Sequence, residues 1–460
     1  SSNLPSSNLP SSNLPSSITM VPTGIDILTA LSVHLLFPYI ATGFVSRTYP
    51  ISTKSRRLTF GETTTTDVQS TSRSTFQRFE DEVLERIAFA QSCSDARERE
   101  DAIESYPLVF GKDYLERIAI SSIDNTSDNK VICAERQSLA TKVQERGGYF
   151  ILELGKDETH TMKDLWKCAK YIFDTKEDIA KDLPFRHQTL VQESVSPVFE
   201  SHSGYTYIET TIRRSDDRFV PENLSDSIGE QREEMLIKAY HLLSNIGKLV
   251  VTALLKSSRD DTIADKDIDS LMRTLPDDGT PCTVFKRNND IDLSCTMHRI
   301  CNYAALRHND TVDVKETLRG HTDWSLVTLV PVSPTAGLDI FQPSLASWVR
   351  PEQYFPSSQN ESTASSSRNA RYIIIMAGKW LELLTRGNVN AATHRVVVGK
   401  GEARQSNPFF YRPREYVPLS IQAEFGNESN YGCCDDEKDQ SAQEAMGEFL
   451  FSITNRVENL

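Results

Sequence analysis

Three side chains that lie far apart in the sequence have the chemical types that hold a divalent iron ion. His321 and Asp323 are separated by one residue and precede the strand-like run 324–330, and His394 lies in a second such run, 391–398. Because alternate residues of an extended segment project from the same face, His321 and Asp323 are expected to converge. Two imidazoles and one carboxylate form the facial triad that holds non-haem Fe(II) with coordination positions left open. Taken by itself, the pattern is more often two polar groups in a core or at a cap, without a metal.

An arginine and a serine with the same alternation follow ten residues after the second histidine. Arg404 and Ser406 are separated by one residue, which places a guanidinium and a hydroxyl on one face of an extended segment. A guanidinium pairs with both oxygens of a carboxylate, and the hydroxyl adds one more donor. The pair suits the end of a small dicarboxylate that lies away from the metal. A surface arginine beside a turn serine is the alternative.

The composition indicates an acidic, folded chain. Its 460 residues carry a net charge of −14 and are 38% hydrophobic, enough for a sizeable core, which excludes wholesale disorder. A body this acidic repels phosphate backbones, so nucleic acid is not an expected partner. The eight cysteines include no CxxC pair and predict reduced thiols rather than a zinc site. The sequence has no GxGxxG motif, glycine-rich phosphate loop or Ser-His-Asp order, so dinucleotide, kinase and hydrolase classes lack support.

The hydrophobic spacing changes near residue 282. Before that point it predicts helices, of which the clearest is 230–256, where apolar residues recur at intervals of three and four. After it, short runs rich in β-branched and aromatic residues predict the strands of a sandwich or jelly roll. The Ser- and Asn-rich segment 355–368 predicts an exposed insertion. The other predicted helices are 79–101, 131–147 and 161–180, with a strand at 149–152; the later strands are 283–287, 297–305, 325–331, 337–341, 372–377, 380–385, 392–398 and 408–412.

The two ends of the chain differ in composition from its body. Residues 1–15 repeat Ser-Ser-Asn-Leu-Pro, an apolar run follows at 27–43, and 44–77 is rich in Ser, Thr and Arg. These features predict a signal- or transit-like leader that targets a plastid or the endomembrane system, with a disordered tail on a cytoplasmic protein as the alternative. Met20 is a candidate start site. The predicted domains are a disordered 1–78, a helical 79–281, a jelly-roll core 282–420 and an acidic extension 421–460 that ends in a helix.

Together these residues resemble the 2-oxoglutarate- and Fe(II)-dependent dioxygenases, in particular the plant-type branch that includes isopenicillin N synthase-like proteins. The resemblance covers about residues 131–415 and consists of blocks in a fixed order. The blocks are Glu145-Arg-Gly-Gly-Tyr-Phe150, Tyr171-Ile-Phe-Asp-Thr-Lys-Glu177, Arg299-Ile-Cys-Asn-Tyr303, His321-Thr-Asp-Trp-Ser-Leu-Val-Thr-Leu-Val330, Ala336-Gly-Leu-Asp-Ile340, Ser347-Trp-Val-Arg-Pro351, Met376 to Gly387, Thr393-His-Arg-Val-Val397 and Arg404-Gln-Ser406.

The resemblance implies both a fold and a set of site residues. The fold is α+β, a double-stranded β-helix (jelly roll, cupin-like) core with a helical N-terminal half packed around it. By carry-over, His321, Asp323 and His394 hold Fe(II), while Arg404 and Ser406 bind the distal carboxylate of 2-oxoglutarate. The resemblance of the Arg-x-x-x-Tyr block implies that Tyr303 helps to position this co-substrate. The sequence departs from the family pattern near Tyr303, where Cys301 and Ala304 replace the usual Asn and Pro. A third departure is Lys379, in place of the usual Asp after Gly378.

The implied activity is an enzyme that uses O2, Fe(II) and 2-oxoglutarate to hydroxylate or desaturate a small organic substrate, giving succinate and CO2. Two alternatives stay open: an Fe(II) oxidase on the same scaffold that needs no 2-oxoglutarate, and a jelly-roll binding protein without catalysis. Trp324, Tyr205 and Tyr207 are the residues expected to line the substrate pocket. The expected partner is a small molecule, with no nucleic acid and no stable membrane span; the substrate and the oligomeric state are not predicted.

Overall fold

The computed structural model places most helices in the N-terminal half of the chain and most strands in the C-terminal half. It describes residues 75–93, 107–120, 128–182, 200–202, 205–214, 219–221, 224–258, 265–278, 293–355, 369–401 and 403–414, all of which belong to one compact unit. The helices are α1 (Thr75–Ser92), α2 (Lys112–Ile120), α3 (Asp128–Glu145), α4 (Lys156–Asp174), α5 (Lys176–Asp182), α6 (Leu224–Ile228), α7 (Glu230–Ser257), α8 (Asp265–Thr274) and α9 (Lys379–Leu384).

The described strands form two sheets. The larger has ten strands in the order β1-β2-β11-β8-β14-β6-β4-β3, with β13 paired to β6 and β5 to β4, and the smaller has the order β10-β9-β12-β7. The strands are β1 (Val109–Gly111), β2 (Tyr149–Glu153), β3 (Glu200–His202), β4 (Tyr205–Ile212), β5 (Phe219–Val220), β6 (Met297–Tyr303), β7 (Val314–His321), β8 (Val327–Pro331), β9 (Leu338–Gln342), β10 (Ser347–Val349), β11 (Tyr372–Ala377), β12 (His394–Gly399), β13 (Arg404–Ser406) and β14 (Phe409–Tyr411).

The two faces of the larger sheet bury different side chains. Its inner face contributes Ile151, Val330 and Ile374 to a core that also contains Ile340 and Val396 of the smaller sheet. Its outer face contributes other side chains of the same strands to a second core shared with the helices. Side chains alternate between the faces of a strand, so one strand can serve both cores. This arrangement is the predicted α+β fold, a jelly roll with helices packed around it.

Helix α7 closes the outer face of the larger sheet. It spans Glu230–Ser257, which confirms the predicted helix, and the apolar residues at intervals of three and four form its buried side. Gly247 lies on that side, where a Cβ atom would come within 2.7 Å of the Tyr411 ring on β14. The absence of a side chain at Gly247 therefore lets the helix approach the sheet closely.

One predicted strand is wrong. The segment 380–385 forms most of helix α9 instead of a strand. Its sequence, Trp-Leu-Glu-Leu-Leu-Thr, contains only one β-branched residue, at its end, and Leu and Glu favour helix. The predicted strand 283–287, nearly all of the insertion 355–368 and of the leader, and the acidic extension lie outside the described residues, and the domain boundaries remain predictions. Among the described helices, none combines the length and the apolarity that a membrane crossing requires.

A buried histidine on the outer face predicts a pH-dependent stability. His298 is fully buried, and neither ring nitrogen has a hydrogen-bond partner among the described residues. Burial lowers the pKa of His298 from 6.5 to about 3. The unfolded chain therefore binds this proton more readily, and stability falls as the pH drops below 6.5, by about 2 kcal/mol at pH 5.

His298→Leu should remove this loss, because leucine has a similar volume and does not titrate. Urea unfolding at pH 7.5 and pH 5 measures, for each protein, the difference in the free energy of unfolding between the two pH values. His160→Leu, at a histidine side chain that is 74% exposed, is the control and should keep the wild-type difference. An unchanged difference in His298→Leu would contradict the prediction.

Candidate metal centre

The three predicted metal ligands lie together between the two sheets. His321 ends β7 and His394 begins β12, and the two are cross-strand partners in the smaller sheet. Asp323 follows β7 by two residues, with its Oδ1 3.6 Å from Nε2 of His321 and its Oδ2 3.5 Å from Nε2 of His394. One ligand atom from each residue lies within 4.8 Å of the other two. A single divalent ion can therefore bridge all three side chains.

The backbone orients both imidazoles. Nδ1 of His321 lies 2.8 Å from the carbonyl oxygen of Arg319, and Nδ1 of His394 lies 3.0 Å from that of Ala392. A carbonyl oxygen only accepts, so each Nδ1–H donates and each Nε2 keeps its lone pair. Fixing the far nitrogen in this way is how proteins hold a histidine ready for a metal.

The charges at the centre suit a divalent cation. Burial lowers the pKa of His394 to about 4, and the opposing pull of Asp323 only partly offsets it, so this imidazole is neutral at pH 7. Burial raises the pKa of Asp323, but His394, His321 and the hydroxyl of Thr328 lower it further than burial raises it. That hydroxyl donates to Oδ2 of Asp323 over 2.7 Å. Two lone pairs and one carboxylate thus face the same point.

A tight turn holds the loop that carries Asp323. The Gly378 N–H donates to the carbonyl oxygen of Leu326, and the next N–H, of Lys379, donates to that of Asp323. A Cβ atom on Gly378 would lie 2.0 Å from the carbonyl oxygen of Ser325, so only glycine fits this close approach. Lys379 is buried with Nζ 4.3 Å from the centroid of the Trp324 ring.

The predicted carboxylate anchor is buried beside a carboxylate of the protein itself. Arg404 is 1% exposed, and its Nη2 donates to Oε1 of Glu352 over 2.8 Å. The other oxygen of Glu352 accepts the N–H groups of Gly337 and Leu338, at 2.6 and 2.9 Å. Nε and Nη1 of Arg404 are buried and have no hydrogen-bond partner among the described residues. Arg404 therefore keeps two donors for a ligand while Glu352 fixes its orientation.

Tyr303 and Ser406 share a face with Arg404. In the pairing of β13 with β6, Arg404 lies opposite Tyr303 and Ser406 lies opposite Cys301. The Tyr303 ring stacks on Tyr205 at 5.0 Å, and Cζ of Arg404 lies 5.4 Å from its centroid. Burial raises the pKa of Tyr303 well above its ordinary value, so the phenol stays neutral.

The residues expected to line the pocket divide between the two cores. Tyr205 and Tyr207 belong to the inner face, next to Tyr303. Trp324 instead packs against Trp380 and the core shared with the helices. Although Trp324 directly follows a metal ligand, its side chain points to the opposite face from that of Asp323, toward the core shared with the helices.

Sequence reasoning missed Thr328 and Glu352. Thr328 lies in β8, five residues after Asp323, and the alternation of that strand could have indicated an inward position. Glu352 lies in the short 3-10 helix Pro351–Tyr354, and no spacing relates it to Arg404, 52 residues away. Only the packing of the two sheets brings this carboxylate to the arginine.

Glu352→Gln should destabilise the protein. It removes the negative partner of a buried guanidinium, at a site where the Glu352 side chain is 0% exposed, and the expected loss is about 3–5 kcal/mol in the free energy of unfolding. Urea unfolding measures the change. Glu135→Gln breaks a more exposed pair with Arg117 and should cost at most about 0.5 kcal/mol. Equal losses in the two variants would show that the Arg404–Glu352 pair stabilises the fold no more than a surface pair does.

No protein-family model matches the chain, and no curated protein matches it.

Solved structures do match, at low identity. A full-length Neurospora crassa protein in complex with alpha-KG is 11% identical, with a TM-score of 0.49 over 76% of this chain and 98% of the other. The dioxygenase for auxin oxidation of rice is 11% identical, with a TM-score of 0.45 over 76% and 96%. Its Arabidopsis thaliana counterpart, in a complex with 2-oxoglutarate, is 14% identical, with a TM-score of 0.41 over 67% and 93%. The chain is thus similar in structure to proteins that include dioxygenases and 2-oxoglutarate complexes.

Proposed function

We propose that the chain is a non-haem Fe(II)- and 2-oxoglutarate-dependent oxygenase of the plant-type, isopenicillin N synthase-like branch. The observation that carries the proposal is the approach of one atom each from His321, Asp323 and His394 to within 4.8 Å of one another. Two imidazole nitrogens and one carboxylate are the donor set that suits ferrous iron with open positions. The proposed reaction is hydroxylation or desaturation of a small organic substrate.

The chain offers donors that fit 2-oxoglutarate as well as iron. Nε and Nη1 of Arg404 are buried without a hydrogen-bond partner among the described residues, which is a costly state that a ligand carboxylate would relieve. Ser406 and Tyr303 lie on the same inner face and are proposed to seat the co-substrate with it. When bound, iron and 2-oxoglutarate supply the oxidising chemistry, in which O2 is consumed and succinate and CO2 are released.

The protein's own contribution is to orient and protect the site. The Nδ1–H groups of His321 and His394 are held by carbonyl oxygens, so their Nε2 atoms face the metal position. Thr328 holds the Asp323 carboxylate by a hydrogen bond. The side chains of His394 and Asp323 are only 6% and 11% exposed, and preorganised groups away from bulk water interact more strongly with a bound ion.

One observation favours a second candidate, an Fe(II) oxidase that uses no 2-oxoglutarate. The Glu352 carboxylate already pairs with Arg404, with side-chain exposures of 0% and 2%. This internal carboxylate offsets part of the positive charge that a second carboxylate would require. In that case Arg404 and Glu352 form a structural pair, and the substrate itself coordinates the metal.

Anaerobic titration of the full chain tests these proposals. Fe(II) followed by 2-oxoglutarate should give a weak visible charge-transfer band that requires both additions, and O2 should then yield succinate. Iron binding without the band, with substrate-dependent O2 consumption in the absence of 2-oxoglutarate, would favour the oxidase. A chain that retains no Fe(II) would contradict both and favour a jelly-roll binding protein without catalysis.

A further inference from the structure

The inner face that holds Arg404 continues along the chain to a second arginine. Arg404 pairs with Tyr303, Ser406 with Cys301 and Phe410 with Met297, in one unbroken antiparallel register. Residues at even positions of this segment therefore share the inner face. Arg412 is the next even position after Phe410.

This second arginine lies on the metal side of the sheet. Phe410 pairs across β8 with Thr328, the residue that hydrogen-bonds to the metal ligand Asp323. Cζ of Arg412 lies 5.3 Å from the centroid of the Phe410 ring. Arg404 and Arg412 thus lie on either side of Phe410 along the chain, one at the proposed 2-oxoglutarate end and the other beyond it.

Arg412 is half-buried, and no carboxylate among the described residues forms an ion pair with its guanidinium. Its Nε atom is buried without a hydrogen bond. Burial lowers the pKa of Arg412, and the nearby Glu209 carboxylate offsets only part of that effect. Burying a guanidinium N–H without an acceptor is costly, so this half-buried group is suited to an anionic ligand.

Apart from the metal ligand Asp323, the charges next to Arg412 leave an excess of one positive charge. Arg299 also lies on the inner face, but its guanidinium already pairs with Glu209. It lies 4.3 Å from the ring of Tyr207 and 5.2 Å from that of Phe410. The guanidinium groups of Arg299 and Arg412 therefore both lie near the Phe410 ring, and only one carboxylate among the described residues, Glu209, pairs with either of them.

We propose that Arg412 binds a carboxylate of the substrate to be oxidised, so that the substrate class is a small monocarboxylic acid. This inference rests on the proposed oxygenase function and adds the substrate's anionic group to it. One excess positive charge matches a carboxylate, whereas a phosphate monoester carries about −1.5 to −2 at pH 7. Phe410 and Tyr207 would contact the apolar part of the acid, between Arg412 and the metal.

Binding of matched acids and amides tests this assignment. A panel of small aromatic and aliphatic monocarboxylic acids, each with its primary amide, is titrated calorimetrically into the full chain under argon, without and with Fe(II) and 2-oxoglutarate. At least one acid should bind more tightly than its amide. Arg412→Gln should weaken that acid by roughly 10- to 100-fold, the loss expected for charge-assisted hydrogen bonds, and should leave the amide unchanged. Arg412→Lys, which keeps the charge, should recover part of the affinity.

Two control variants separate this site from its neighbours. Arg371→Gln removes a half-exposed guanidinium that pairs with Glu153 and should not affect acid binding. Arg404→Gln should weaken 2-oxoglutarate while the acid still binds. The proposal is overturned if no acid binds better than its amide, or if the preference persists in Arg412→Gln. Failure of the proposed function gives a different result, because the acid preference would persist in a chain that binds neither Fe(II) nor 2-oxoglutarate.

Discussion

His394→Ala should abolish iron binding and, with it, any 2-oxoglutarate-dependent consumption of O2. The variant removes one of three ligands whose atoms converge within 4.8 Å. Changes to groups that merely orient a ligand already cost 10- to 100-fold in metal affinity, so loss of a ligand should cost more than about 100-fold. Anaerobic calorimetry with Fe(II) measures the affinity, and the charge-transfer band in the presence of 2-oxoglutarate should be absent.

A second variant tests whether misfolding, rather than the loss of a ligand, causes the loss of iron binding. His394 is buried, whereas the side chain of His321 is 33% exposed, so His321→Ala perturbs packing less and should lose iron to a similar degree. His160→Ala, at an exposed histidine on α4, should bind iron like the wild type. Wild-type affinity in both His394→Ala and His321→Ala would show that these side chains hold no metal.

Arg404→Gln should weaken 2-oxoglutarate by about 100-fold or more and leave Fe(II) affinity unchanged. Two charge-assisted hydrogen bonds from Nε and Nη1 are expected to be lost, each worth about 1.5–3 kcal/mol. Titration of the charge-transfer band with 2-oxoglutarate, at saturating Fe(II), measures the change. The distal carboxylate is the part of the co-substrate affected, because the metal ligands lie on other strands.

The double variant Arg404→Gln/Glu352→Gln separates binding from folding. Arg404→Gln alone leaves the buried carboxylate of Glu352 without its guanidinium partner, and breaking such a pair is strongly destabilising. Removing both charges should recover much of the stability without recovering 2-oxoglutarate affinity. If the double variant binds 2-oxoglutarate like the wild type, Arg404 is a structural residue and the oxidase alternative gains support.

Helices and their ends could be predicted from the sequence where the spacing of apolar residues or a pair of glycines determines them. Helix α7 follows from apolar residues at intervals of three and four. The end of α3 follows from Gly147 and Gly148, whose φ angles of 81° and 83° favour glycine. The failure at 380–385 has the same origin, since a short apolar run does not distinguish strand from helix by periodicity alone.

The residues that could bind a metal and a carboxylate were identifiable without a structure, because their types and their one-residue separations are local properties. His321 with Asp323, and Arg404 with Ser406, are pairs of this kind. That His394 faces the first pair depends on the cross-strand pairing of β12 with β7. The contact of Glu352 with Arg404 and the position of Arg412 on the metal side likewise depend on how the sheets pack. These contacts join residues that are distant in the chain, so they depend on the packing of the folded protein and cannot be read from local spacing.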